Sequence, residues 1–277
     1  MLRTLADLED YRIDATDGTI GHVKDIYFDD QDWVVRYLVV DTGSWLMSRK
    51  VLISPIGIGE PRWSEKILPV ALTKQQVKDS PGVDTEKPVS RQYEVDYLGY
   101  YGYPSYWGGA GYWGGGYYPS MLMPGYVGIG SPYHRGPEGN EVDYARAAAA
   151  EHRDDDPHLR SCKAVTGYHV LATDGEVGHV ALMLIDEATW AIRYIVVDTG
   201  SWWQGHKVLI APQWIDEVRW SDNTFTVSLT RQAVKDAPPY LSVAELDRRH
   251  ETRIYEHYGH PGYWANETRS EAVVSER

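Results

Sequence analysis

Two acidic turns are the stretches of this chain whose residue types could do chemistry. Val39-Val40-Asp41-Thr42-Gly43-Ser44 returns as Val196-Val197-Asp198-Thr199-Gly200-Ser201. Two carboxylates supplied by related halves can share a proton and activate water, because like charges held close cannot both ionise. Asp41 and Asp198 would be that pair, and the reaction a hydrolysis. The competing reading is structural. In a β-turn the Asp carboxylate accepts backbone N–H groups, and Gly43 or Gly200 supplies a backbone angle that other residues avoid.

Other reactive side chains lack companions. His22 and His179 each follow a glycine at equivalent places, and His257 and His260 lie close together. No His-x-x-x-His or cysteine cluster completes a metal set, so hydrogen-bonded surface histidines are expected and no metal. Cys162 is the sole cysteine, which forbids an internal disulfide and suits a reducing compartment. There is no phosphate loop, dinucleotide fingerprint or nucleophile elbow, so neither a cofactor nor enzymatic activity is expected. Arg36 and Arg193 sit inside apolar strands and are expected to pair with a local carboxylate rather than with a partner.

The elements that position these residues come twice. Asp17-Gly18 matches Asp174-Gly175, Gly21-His22-Val23 matches Gly178-His179-Val180, and Lys50-Val51-Leu52-Ile53 matches Lys207-Val208-Leu209-Ile210, always 157 residues apart. The same offset pairs Tyr106-Trp107 with Tyr263-Trp264. Roughly 40 of about 90 aligned positions are identical, so one module is used twice, and its period is too long for a solenoid. The expected layout is a first domain at 1–80, a connector at 81–164, a second domain at 165–238 and a C-terminal extension at 239–277.

Within each module the order is strand, Asp-Gly turn, strand, polar turn, β-branched strand, acidic turn, and a strand stopped by proline. In the first copy these strands fall at 11–14, 20–28, 33–40, 51–53 and 67–72. Thr73 and Thr230 are expected N-caps of a terminal helical turn. Asp17, Gly18, Asp41, Gly43, Asp174, Gly175, Asp198 and Gly200 are read as turn residues. Many short strands with little helix predict an all-β chain of two small closed barrels, since closure removes unpaired edges.

The connector is different in kind. Residues 93–133 are dominated by Tyr, Trp, Gly and Pro without helical or strand period, so they read as a low-complexity spacer. The alternative is an aromatic strap laid over a barrel or a partner, carried by Tyr101, Tyr103, Tyr106 and Trp107, with Tyr258, Tyr263 and Trp264 as counterparts. Residues 141–153 are expected to form a short helix, and the tail after Ala265 to be disordered.

Composition sets the class of partner. The chain has 277 residues, 27 Lys and Arg against 40 Asp and Glu, a net charge of -13 and a pI near 5.2. Such a chain repels phosphate backbones, so nucleic acid is a disfavoured partner. No apolar run approaches the ~20 residues that span a bilayer, and residues 1–11 do not read as a secretory signal. The expectation is a soluble cytoplasmic protein, reaching a membrane only through a partner protein. The duplicated modules are also expected to pair as a pseudo-dimer or to drive homo-oligomers.

The ordered series Asp17-Gly18, Gly21-His22-Val23, residues 36–43 and Lys50-Val51-Leu52-Ile53-Ser54-Pro55 resembles the PRC-barrel domain family. That family includes the cytoplasmic barrel of the photosynthetic reaction centre H subunit and the C-terminal domain of a ribosome maturation factor. The second copy fits equally, and Pro88-Val89-Ser90-Arg91-Gln92 with Tyr100-Tyr101-Gly102-Tyr103-Pro104 is similar to the extension of stand-alone bacterial members. The resemblance implies a small barrel that binds other proteins and is not known for catalysis. Neither relative's preceding segment is matched here, so neither specific activity carries over and no functional residue is transferred. Three alternatives follow: an accessory subunit tuning proton or electron transfer, a ribosome-associated factor, and an aspartic-type hydrolase using Asp41 and Asp198. The hydrolase would need a later apolar-apolar-Gly element in each half. Ile56-Gly57-Ile58-Gly59 imitates one, whereas Gln213-Trp214-Ile215-Asp216 does not.

Overall fold

A computed structural model describes residues 1–83, 89–107, 111–114, 116–122, 158–200 and 206–265. The apolar runs form strands close to where composition places them. They are β1 (Leu2–Thr4), β2 (Arg12–Ala15), β3 (Gly18–Asp29), β4 (Val34–Asp41), β5 (Lys50–Ile53), β6 (Ile67–Pro69) and β7 (Leu159–Ser161). Then come β8 (His169–Ala172), β9 (Gly175–Asp186), β10 (Ile192–Asp198), β11 (Lys207–Ile210), β12 (Ile215–Arg219) and β13 (Thr224–Val227). In β4, every residue from Val34 to Val40 is buried, as its unbroken β-branched run requires.

The described residues divide into two compact units, which do not follow the sequence repeat. The first unit takes in residues 159–164 and 185–192 of the second repeat, while the second unit takes in Leu2–Thr4 of the first. In the first unit the sheet order is β5-β4-β3-β2-β6, with β7 against β3. In the second it is β11-β10-β9-β8-β13-β12, with β1 against β9. β6 runs parallel to β2, and β13 parallel to β8. The chain is thus mostly strand in two sheets, with few helices.

Gly21 explains one repeated residue. β3 passes so close to β4 that a Cβ on Gly21 would run into the Asp41 carbonyl. Gly178 meets the Asp198 carbonyl in the same way, and there φ is +142°. Asp17 and Asp174 accept the backbone N–H of Lys74 and Arg231 at 2.8 and 2.6 Å, tying each Asp-Gly turn to the short helix that follows the sheet. Thr73 caps the first of these helices in a full capping box and Thr230 caps the second.

Three sequence expectations change. The strand expected from residue 33 starts at Val34, because Trp33 closes the turn at φ +56°, donating its N–H to Asp29 O and stacking on Phe28 at 5.3 Å. The strand expected to reach residue 72 ends at Pro69, and beyond it Val70 donates its N–H to Asp14 O and keeps a single bridge to Ile58. The spacer reading of the connector fails at its start, where Arg91–Tyr101 is an α-helix capped by the Ser90 side chain and closed by Gly102 at φ +69°. The helix expected at 141–153, the tail beyond Ala265, Ser201, and the connector at 108–110, 115 and 123–133 lie outside the described residues.

Candidate functional site

The acidic turns are the first place to look for chemistry. Asp41 Oδ1 accepts the Gly43 N–H at 2.8 Å, and Asp198 Oδ1 accepts the Gly200 N–H at 2.9 Å. Gly43 and Gly200 take φ +59° and +63°. Thr42 and Thr199 donate their hydroxyls to Arg49 O and His206 O, each at 2.7 Å, across the mouth of the hairpin. The Asp, Thr and Gly of the motif therefore each have a task in their own turn. His22 and His179 are exposed on their strands. No group of three or more ligating side chains able to hold a metal occurs among the described residues.

The second place is the aromatic segment, which is built onto each unit by one repeated polar clasp. In the first unit, Glu94 on the Arg91–Tyr101 helix is 2% exposed. It accepts hydrogen bonds from the hydroxyls of Tyr37, on β4, at 3.3 Å and of Tyr106, beyond the helix, at shorter range. Arg91 pairs with it at 2.9 Å. Burial pushes the Glu94 carboxyl above the usual range, against the opposing pull of Arg91 and the Tyr106 hydroxyl. Burial likewise drives the phenols of Tyr37 and Tyr106 well up, so both remain hydrogen-bond donors at neutral pH.

Arg36 completes the clasp from β4. Its guanidinium is fully buried, pairs with Asp29 at 3.3 Å and Asp32 at 2.9 Å, and lies 3.8 Å from the Tyr106 ring centre. It also donates to Tyr112 O, while Trp113, itself buried, sits 5.0 Å away and donates its indole N–H to Thr189 O at 2.8 Å. The expected pairing of Arg36 with a local carboxylate is what the geometry gives. A buried cation is tolerated here because carboxylates and a ring face surround it.

The second unit repeats the glutamate, its two tyrosines and both arginines of the clasp. Helix Arg248–Tyr258, capped by Asp247 and closed by Gly259 at φ +71°, buries Glu251. Tyr194 and Tyr263 donate to that carboxylate at 2.9 and 3.0 Å, and Arg248 pairs with it at 3.1 Å. Arg193 lies 4.1 Å from the Tyr263 ring centre. The outer tryptophans follow suit, with Arg91 4.4 Å from Trp107 and Arg248 4.2 Å from Trp264.

Of the aromatics singled out from sequence, Tyr103, Tyr106 and Tyr263 are buried and Tyr101, Trp107, Tyr258 and Trp264 half-buried. They form straps on their own units. Sequence reasoning missed Glu94, Glu251, Arg91 and Arg248. The signal was present, since the 157-residue offset also pairs Arg91 with Arg248 and Glu94 with Glu251.

Residues 4–64 match the family model described as PRC-barrel domain. The match lies within the first repeat; the second repeat shares its ordered residues at the 157-residue offset but has no such match of its own. No curated protein matches the chain.

Proposed function

We propose that this protein is a non-catalytic tandem PRC-barrel protein, an interaction and assembly module whose two units are small barrels. PRC-barrel domains are interaction modules, and the match at residues 4–64 supports that general role. The observation that carries the reading is where the repeated polar side chains go. Asp41 and Asp198 hold their own turns, and Arg36, Tyr37, Glu94 and Tyr106 hold the strap, as do Arg193, Tyr194, Glu251 and Tyr263. What is repeated is a means of presenting a surface. Among the described residues no helix is long and apolar enough to cross a membrane, so peripheral attachment through a partner protein fits this reading. A negative net charge argues against nucleic acid.

The test is the size of the native assembly. Sizing chromatography of a gentle lysate from the native host should place the protein in a complex larger than the purified chain. Elution at the purified size would overturn the reading. Co-sedimentation with ribosomal particles at low salt, or with a membrane redox complex, would move it to one of the two accessory roles. Peptide hydrolysis abolished by Asp41→Asn would replace it with the hydrolase.

A further inference from the structure

The two strap helices differ along the side that lies against the edge of their sheet. In the first unit Tyr93 and Tyr97 stand four residues apart on one helix face, and both hydroxyls are used. Tyr93 donates to Pro81 O at 3.1 Å, while Tyr97 accepts the Ser54 N–H at 3.0 Å and donates to Leu52 O at 3.1 Å. The 157-residue offset puts His250 and Ile254 at these two places. Both side chains are shorter than tyrosine, and that of isoleucine has no polar atom.

The backbone groups that Tyr97 serves have counterparts in the second unit, and these point the same way. Thr42 donates its N–H to Arg49 O and Thr199 donates its N–H to His206 O, one rung of each hairpin. Antiparallel rungs alternate, so Leu52 and Leu209, each three residues further on, turn their N–H and C=O away from the ladder. β5 and β11 are edge strands, so these groups face the strap helix rather than another strand. Leu209 and Ala211 are each 1% exposed. Among the described residues nothing pairs with the Leu209 carbonyl or the Ala211 N–H.

Two side chains on the same seam repeat the observation. His250 Nε2 is buried and has no partner among the described residues. The same holds for the indole N–H of Trp214, three residues past Ala211, whose ring packs on the helix through Tyr255 and Tyr258. Buried polar groups are nearly always paired, and ordered water pairs those that the protein does not.

We propose that the second unit holds an internal water site beneath its strap helix, at the place of the Tyr97 hydroxyl. One water accepts the Ala211 N–H and donates to Leu209 O, the two bonds that Tyr97 makes in the first unit. Two polar partners suffice for an internal water, and exchanging tyrosine for isoleucine frees roughly 30 Å³, one water's share of liquid volume. Further waters along the seam serve His250 Nε2 and the Trp214 N–H. The ligand is water rather than a larger hydroxyl compound, because Ile254, Trp214 and Tyr255 are exposed by only 1%, 1% and 2% and close the seam. The chain itself fastens the first strap to its edge strand, and solvent completes the fastening of the second.

A crystal structure of the full-length wild-type chain that shows ordered solvent is the test. A water should lie within about 3 Å of both Leu209 O and Ala211 N, with none between Leu52 O and Ser54 N. Ordered solvent elsewhere in the second unit but none at Leu209 and Ala211 would overturn the proposal. Oxygen-17 relaxation dispersion, which counts long-lived waters, gives a second measurement in solution. Ile254→Tyr should hold at least one fewer than wild type, and Tyr97→Ile at least one more. Equal counts in folded variants would also overturn the proposal, and if neither variant folds the crystal structure still decides.

Discussion

The two straps meet their edge strands in different ways. In the first unit Tyr97 lays its hydroxyl on the free side of β5, accepting the Ser54 N–H at 3.0 Å and donating to Leu52 O at 3.1 Å. In the second unit that place belongs to Ile254, which has no polar group to offer. There Tyr240 donates its backbone N–H to Lys207 O on β11 at 2.7 Å. Trp214 packs against Tyr255 and Tyr258 with ring centres 5.0 and 4.7 Å apart. The first strap is thus tied partly through tyrosine hydroxyls, and the second leans more on ring packing. What did not change between them is the clasp of Arg, Tyr, Glu and Tyr. Divergence in the packing around an unaltered polar core is what a shared fastening role predicts.

Substitutions can break this comparison, and the largest effect should come from the clasp carboxylate. Glu94→Ala leaves Arg91, only 15% exposed, without its buried partner, and should cost the first unit about 3–5 kcal/mol in denaturant unfolding. Glu251→Ala should cost less, because the Arg248 side chain is 54% exposed and can turn to water. Equal losses would mean that burial of the arginine does not matter. Next come the crossing glycines. Gly21→Ala forces a methyl into the Asp41 carbonyl and should cost about 3 kcal/mol. Gly178→Ala should exceed it, because φ there is +142° as well.

A smaller loss, about 1–3 kcal/mol, is expected for Tyr97→Phe, which orphans the Ser54 N–H and the Leu52 carbonyl at once. Ile254→Phe, which strips no hydroxyl, gives the matched control in the second unit. The smallest effect is one of pH. The buried Glu94 carboxyl has a raised pKa in the folded chain, so the docked strap binds a proton more readily than the unfolded chain does. Its contribution to stability is full below the unfolded value of 4.5 and is lost as pH rises through the folded value. Wild type minus Glu94→Gln, compared by denaturant midpoint between pH 4.5 and 8, should therefore fall as pH rises. A difference that is flat or rises would show that Arg91 outweighs burial.

Most of the sheet was legible in the sequence. β-branched runs, Asp-Gly turns and threonine caps each act locally, and the duplication displayed them twice. Trp33 escaped because a bulky residue at positive φ is unfavourable on its own and is held there by the Asp29 carbonyl and the Phe28 ring. The strap helix escaped for a different reason. Its buried face combines Glu94, Val95, Tyr97 and Leu98 while Tyr100 stays exposed, so tyrosine falls on both sides and the helical period is blurred. A glutamate reads as solvent-facing until the tyrosines and arginines that satisfy it are placed around it, and those come from residues far away in the chain. The reciprocal placement of β1 and β7 had no local signal at all, because three-residue strands are fixed only by the sheet they join.

The repeated residues hold a strap on each unit. Native-state hydrogen exchange of the wild-type chain tests it most directly. Amides in residues 93–101 and 250–258 should be protected far above the rate of an unstructured peptide, since the clasp buries one face of each helix. Exchange of either segment at the rate of an unstructured peptide, with the strands still protected, would contradict the account.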